Sequence, residues 1–182
     1  MTREFVPSRL DVNGFAEAGA AISGDEPVRN FQRLHAELVE PSDDLTVQWK
    51  AEGERRRGAD GAPVPWLNLS AHTRVPMVCQ RCLAPVDVVL DVDRWFRFVA
   101  DETIAAAEDE EAEEDVLVAS REFDLHALIE DELLMEIPVT PRHEVCPEAA
   151  RLSAVDPDFE ASEDARPNPF AVLKQLKPDG DK

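Results

Sequence analysis

Two cysteines separated by two residues form the motif with the most obvious chemical potential in this chain. Cys79 and Cys82 stand in the sequence CQRC, between two segments of alternating apolar residues. A CxxC turn between strands can present two thiolates to one Zn²⁺, and tetrahedral closure needs two further ligands. His143 and Cys146, in HEVC, are the other candidates at suitable spacing. Together the four residues would make a Cys3His structural zinc site that ties a later segment to a hairpin.

The cysteine pair also permits two other interpretations. Thioredoxin-like enzymes place such a pair where a strand meets a helix, because the helix N-terminus lowers the thiolate pKa. Here Pro85 follows within three residues of Cys82 and another strand pattern begins, which disfavours a helix at this point. In the last interpretation the cysteines are small apolar residues of the hairpin, with Cys79 on its buried face. A thiol- or metal-dependent enzyme at this pair therefore stays open as an alternative function.

A basic triplet is the second candidate site. Arg55, Arg56 and Arg57 lie at the predicted tip between two strands. Planar guanidinium groups suit phosphate, so a protruding tip of this kind could contact RNA. A solvated turn explains the same three residues without any ligand.

One aromatic residue and one group of acids have alternative explanations of the same kind. Trp95 lies on the opposite parity from the buried set of its strand, which predicts a contact surface near Arg97 and His72. Carboxylates of a predicted helix could bind Mg²⁺, but a solvated helix face explains them more simply; they are Glu130, Asp131, Glu132 and Glu136. Phosphate-loop, GxSxG and HExxH motifs do not occur in the sequence, and we predict no enzymatic activity.

The elements that must position these residues follow from hydrophobic periodicity. Apolar residues alternate with polar ones along segments near 45–52, 67–79 and 86–100, which predicts strands with one buried face each. Helical spacing is found at 27–38 and, after the N-cap candidate Asp124, at 124–137. The predicted fold class is α+β: an antiparallel meander of three to four strands, packed with two amphipathic helices and a short C-terminal helix.

The chain divides into three regions by composition. Residues 1–26 contain three glycines and are predicted to form an irregular N-terminal arm. Residues 27–139 form the predicted α+β core, in which nine acids between positions 101 and 115 indicate a mobile acidic loop. Residues 140–182 are predicted to be loosely ordered and to end in a short docking helix with the sequence PNPFAVLKQLK.

Charge is the most informative bulk property. With 39 acidic and 19 basic residues the formal net charge is −20, so the chain repels nucleic acid unless its cations are gathered on one face. The same field attracts basic proteins, although it also serves solubility alone. The odd cysteine count, the absence of a long apolar run and the N-terminal sequence favour a cytoplasmic protein that does not span a membrane.

Three segments together resemble the YceD family of large ribosomal RNA subunit accumulation proteins. They are VCQRCLAPV at 78–86, FDLHALIEDELLMEIPVTPRHEVC at 123–146 and PNPFAVLKQLK at 167–177. The positions that carry the resemblance are Cys79, Arg81, Cys82, Glu130, Glu132, Pro138, Cys146, Asn168, Pro169 and Phe170.

The resemblance implies a non-enzymatic role in the synthesis, processing or accumulation of large-subunit (23S) ribosomal RNA. With the negative charge, it predicts that the partner is a basic ribosomal protein or a large-subunit precursor particle. Ribosomal RNA itself is the alternative partner, and neither a membrane nor a small-molecule substrate is expected.

Overall fold

A five-stranded sheet forms the centre of the protein. The computed structural model describes residues 4–58, 61–109 and 112–147. The strands neighbour one another in chain order: β1 Ala21–Pro27, β2 Thr46–Arg57, β3 Pro63–Val78, β4 Pro85–Val99 and β5 Asp115–Val118. The first four pair antiparallel, and β5 pairs with β4 in the parallel direction. The predicted α+β class is confirmed, in a sheet with one strand more than the upper limit of the prediction.

Four helices accompany the sheet in the described part of the chain. They are α1 Val12–Glu17, α2 Gln32–Ala36, α3 Glu102–Glu108 and α4 Leu125–Met135, and 3-10 turns occupy Pro7–Arg9 and Val28–Asn30. Within the described ranges no helix has the length and apolar character needed to cross a membrane.

The core lies on one face of the sheet, where alternate residues of the strands point. The predicted period-two patterns are confirmed, because side chains at every second position of β2, β3 and β4 are buried. α1 and α4 cover this face, and the largest side chains that are fully buried are Phe15, Phe31, Phe96, Phe98, Leu10, Leu34, Leu67, Leu69, Leu90, Leu125, Ile129 and Leu133.

The expectation of an irregular arm over residues 1–26 was wrong. Its glycines shape regular elements instead of preventing them. Gly19 has a φ of +53° just after α1, a backbone conformation that glycine adopts without strain. Gly24 lies inside β1, where a Cβ would come within 2.7 Å of the Trp49 indole ring. Glycine is therefore needed at this position so that β1 can lie against Trp49.

The predicted helix over 27–38 is only partly present. Pro27 ends β1 rather than beginning a helix, and Phe31, with φ −98° and ψ 85°, separates the 3-10 turn from the short helix α2. The apolar stripe is nevertheless buried at Val28, Phe31 and Leu34, and Leu38 packs against the core. The second predicted helix is α4, and its Asp124 carboxylate accepts a hydrogen bond from Ala127 N at 3.0 Å.

The acidic segment 101–115 is not simply a mobile loop. Asp101 caps α3 by accepting a hydrogen bond from Ile104 N at 3.0 Å, and Ala105 is buried. The uncharged sequence TIAAA, between the acids at 101–102 and those that begin at 108, makes this helix possible. The expected C-terminal helix lies outside the described residues.

Candidate metal site

The turn between β3 and β4 fixes the two cysteines of the CxxC sequence. Cys79 N donates to Ala84 O at 3.0 Å, and Leu83 N donates back to Cys79 O at 2.8 Å. Leu83 has a φ of +63°, which lets the chain reverse within four residues. Cys79 is buried and Cys82 is half-buried, and all three cysteines of the chain are free thiols.

The segment that follows α4 in the chain lies beside this turn. Gln80 N donates to the carbonyl of Pro141 at 2.8 Å, and Pro141 is buried. This contact places His143 and Cys146 beside the cysteine pair. The Sγ atoms of the three cysteines and a ring nitrogen of His143 lie within 4.8 Å of one another. The structure therefore brings together all four residues of the predicted Cys3His set.

The distances suit a tetrahedral zinc ion. Cys82 Sγ lies 3.5 Å from His143 Nδ1. Zinc–sulfur and zinc–nitrogen bonds of normal length, at a tetrahedral angle, separate the two ligand atoms by about 3.6 Å. Thiolates and imidazole are the donors that zinc prefers in structural sites, and the coordination would be complete without substrate or water. The residues present therefore fit a closed zinc site.

The electrostatic environment distinguishes the cysteines. Burial opposes the charged form of Cys79, but backbone N–H groups of Cys82, His143 and Arg81 and the His143 side chain together lower its pKa to about 5. Burial raises the pKa of Cys146, and its hydrogen bonds with Cys82 and Cys79 act in the same direction. Cys79 is thus prepared as a thiolate by peptide dipoles, as at structural metal sites where N–H groups surround the sulfur. The next element after this turn is β4, and no helix N-terminus of the thioredoxin type follows the pair.

Glu130 and Glu132, two of the positions that carry the family resemblance, contact other side chains of the protein instead of lying on a solvated helix face. Glu130 Oε1 accepts a hydrogen bond from Arg33 N at 2.7 Å and a longer one from Leu34 N at 3.3 Å. It therefore caps the beginning of α2 from a helix that lies almost a hundred residues later. Arg33 Nε also donates to Glu130 at 2.9 Å, and the Glu130 side chain is only 12% exposed, so the expectation of a solvated helix face was wrong at this position.

Glu132 makes the second of these contacts, which sequence reasoning missed. Its side chain is 5% exposed, and its Oε2 atom lies 3.2 Å from Arg94 Nε. The alignment of the two groups is not that of a hydrogen bond, so the attraction is electrostatic. Burial raises the pKa of Glu132, an effect that Arg94 counteracts. Two features of the sequence could have indicated this ion pair. Arg94 stands at a core-facing position of β4, and Glu132 follows the buried Leu128 by four residues, on the same face of α4.

The three arginines of the predicted tip lie within β2 instead of on a free loop. Arg55 lies 3.7 Å from a carboxylate oxygen of Glu17. Arg56 pairs with Glu54, and its guanidinium group lies over two indole rings, 4.2 Å from that of Trp66 and 3.9 Å from that of Trp95. Arg57 is exposed at the end of the strand.

Trp95 has the exposure that its parity predicts, but different neighbours. The residue is 36% exposed and its ring packs edge-on against Trp66, with 6.4 Å between ring centroids. Arg97 is instead held by the carboxylates of Glu108 and Glu114, and His72 lies 3.5 Å from Asp91. The cation that lies over the Trp95 ring is therefore Arg56, and a contact surface around Trp95 stays a prediction.

Fold and site define a small α+β protein whose β3–β4 turn carries a candidate Cys3His metal centre. Residues 67–177, which are more than half of the chain, match the family model described as large ribosomal RNA subunit accumulation protein YceD. The chain belongs to this family. Membership implies a role in the accumulation of large-subunit ribosomal RNA. No solved structure matches this fold. The family positions Asn168, Pro169 and Phe170 lie outside the described residues.

Proposed function

We propose that this protein is a ribosome biogenesis factor that binds a basic ribosomal protein or a large-subunit precursor particle. By doing so it protects large-subunit ribosomal RNA from degradation without reading the RNA directly. Family membership supports the ribosomal role, and a net charge of −20 supports a basic partner.

The pairing of cations within the described ranges is the observation that carries the choice of protein over RNA. Eight lysines and arginines there lie within 4.0 Å of a carboxylate: Arg9, Arg29, Arg33, Lys50, Arg55, Arg56, Arg94 and Arg97. Cations that are already neutralised release few counterions on contact with phosphate, so they contribute little affinity for RNA. Two of the three arginines proposed for RNA contact belong to this group.

Binding measurements distinguish the two partners. The purified protein is mixed separately with large-subunit ribosomal RNA and with protein-containing precursor particles, over a series of salt concentrations. We expect association with the particles and none with the RNA alone. Tight binding to naked RNA with a steep salt dependence, weakened by changing Arg55, Arg56 and Arg57 to alanine, would instead establish direct RNA binding.

We further propose that the Cys3His set holds one structural zinc ion. Its bonds would fix residues 140–147 on the β3–β4 turn more firmly than the hydrogen bond from Gln80 N to Pro141 O and the contact of Cys82 Sγ with His143 Nδ1 can do alone. The protein purified without chelator should contain one zinc per chain by mass spectrometry, and a Cys82→Ser variant should contain much less. Equal metal content in both proteins would rule out the site. Ser8→Ala, a substitution at an exposed position, serves as the control.

A further inference from the structure

The sheet opens at the end that lies away from the cysteine cluster. The β3–β4 ladder begins at the pair Trp66 and Arg97, although β3 starts at Pro63 and β4 continues to Val99. Pro65 would stand next in the ladder, and proline has no N–H to donate to β4. The two strands therefore continue past their last bridge without pairing to each other, while β3 stays paired with β2 and β4 with β5.

A cleft of about 940 Å³ occupies this open end. β3 contributes Val64 and Trp66 to its lining, β4 contributes Val99 and α3 contributes Ile104. Ile104 is 37% exposed, which is high for an isoleucine. The cleft thus offers apolar side chains between two strand ends, an arrangement that suits an extended peptide.

Acids are concentrated beside this cleft. The segment 101–115, which contributes Ile104, Glu108 and Glu114 to the lining, carries seven described acids and no lysine or arginine: Asp101, Glu102, Glu108, Asp109, Glu113, Glu114 and Asp115. Glu108 and Glu114 line the cleft together with Arg57 and Arg97, so the charges of the lining itself balance. The other acids of this segment, of which Asp115 lies beside Arg94, leave an excess of negative charge next to an apolar floor, and this excess attracts cations.

We infer that this cleft binds an extended, lysine- or arginine-rich segment of a partner protein, with apolar side chains entering between β3 and β4 and cations facing α3. The inference rests on the proposed function and deepens it, because it names the surface and the kind of segment that a basic partner would present. Single-stranded RNA is the competing occupant, and the excess of acids in the segment 101–115 opposes it.

A peptide titration tests the inference on the full chain. The probe is a short synthetic peptide of alternating lysine and valine, with an alternating glutamate and valine peptide as its counterpart. We expect the basic peptide to bind and to change the tryptophan fluorescence of the protein, because Trp66 lines the cleft, with an affinity that falls as salt is added. Binding of the acidic peptide with equal affinity, or of neither peptide, would overturn the inference.

Matched substitutions locate the site. Ile104→Lys places a cation in the cleft and should weaken the basic peptide about tenfold, because like charges repel at close range. Val89→Lys makes the same change on the exposed face of β4, at a residue that is 48% exposed and does not line the cleft, and should leave affinity unchanged. Ile104→Glu should preserve binding. Equal weakening by both lysine variants, or displacement of the peptide by a single-stranded RNA oligonucleotide, would overturn the assignment.

Rescue in depleted cells separates this inference from the proposed function. If wild-type protein restores the level of large-subunit ribosomal RNA and Ile104→Lys does not, both stand. If Ile104→Lys restores it as well as wild type, the cleft is not the partner site and the ribosomal function remains. If depletion itself leaves the level unchanged, the proposed function fails whatever the peptide titration shows.

Discussion

Removal of Arg94 tests whether the buried glutamate of α4 depends on its single close cation. Arg94 Nε lies 3.2 Å from Glu132 Oε2. The other two guanidinium nitrogens of Arg94 lie 3.6 Å from a carboxylate oxygen of Asp115 and 3.7 Å from one of Glu136. At an effective dielectric constant of about 20, unit charges at the shortest of these distances attract by about 5 kcal/mol. The desolvation of Glu132 and the 40% exposure of Arg94 offset part of this energy.

The two partners should differ in the cost of their removal. Arg94→Ala leaves Glu132 buried among other acids, and we expect the free energy of unfolding to fall by about 2–3 kcal/mol. Glu132→Gln should cost only about 1 kcal/mol, because the amide is neutral and Arg94 keeps its other carboxylates. The double variant should lose less than the sum of the two, since the partners share one interaction.

Urea unfolding followed by circular dichroism and tryptophan fluorescence measures these differences. The exposed pair Arg9 and Glu122, 2.7 Å apart with side chains 72% and 69% exposed, provides the control. Arg9→Ala should change stability by less than about 0.5 kcal/mol. The reasoning would be refuted if Glu132→Gln cost more than Arg94→Ala, or if the two changes were additive.

Three further predictions concern the pKa of Glu132, the packing of Gly24 and the metal site. Burial raises the pKa of Glu132 above its ordinary value of 4.5 in the folded protein, so above that pH the folded state retains a proton that the unfolded state releases. The free energy of unfolding should therefore fall as pH rises from about 4.5 through the pKa of the folded state. Glu132→Gln should flatten this slope, and an unchanged slope would contradict the assignment. Gly24→Val should destabilise by about 1–3 kcal/mol in urea unfolding because its Cβ would meet the Trp49 ring at 2.7 Å, whereas Ser23→Val on the exposed face should be neutral. Incubation with a zinc chelator should lower the thermal midpoint of the wild-type protein and leave that of Cys82→Ser unaffected; a wild-type midpoint that does not move would exclude a stabilising metal.

The long strands could be predicted because each one satisfies a single demand that is visible along the sequence. In β2, β3 and β4 one face is buried, so apolar residues must recur at every second position. β1 escaped prediction because its sequence AISGDEP has little alternation, and its place depends on Gly24 fitting against a tryptophan of the next strand. α3 escaped because charge dominated its composition, while its helix depends on a local cap at Asp101.

The candidate site was predictable by ligand type and only partly by role. The chain has three cysteines, and His143 stands three residues before Cys146, so ligand type and spacing together selected the set Cys79, Cys82, His143 and Cys146. The roles of Glu130 and Glu132 could not be read in the same way, because their partners Arg33 and Arg94 lie far away along the chain. Periodicity places an acid on a helix, but only the packing of two elements shows whether it meets water or an arginine.

The ratio of large- to small-subunit ribosomal RNA in cells depleted of this protein tests the central claim most directly. We expect a selective fall in the large-subunit species, reversed when the wild-type protein is supplied again. An unchanged ratio after confirmed depletion would contradict a role in large-subunit RNA accumulation for this member of the family.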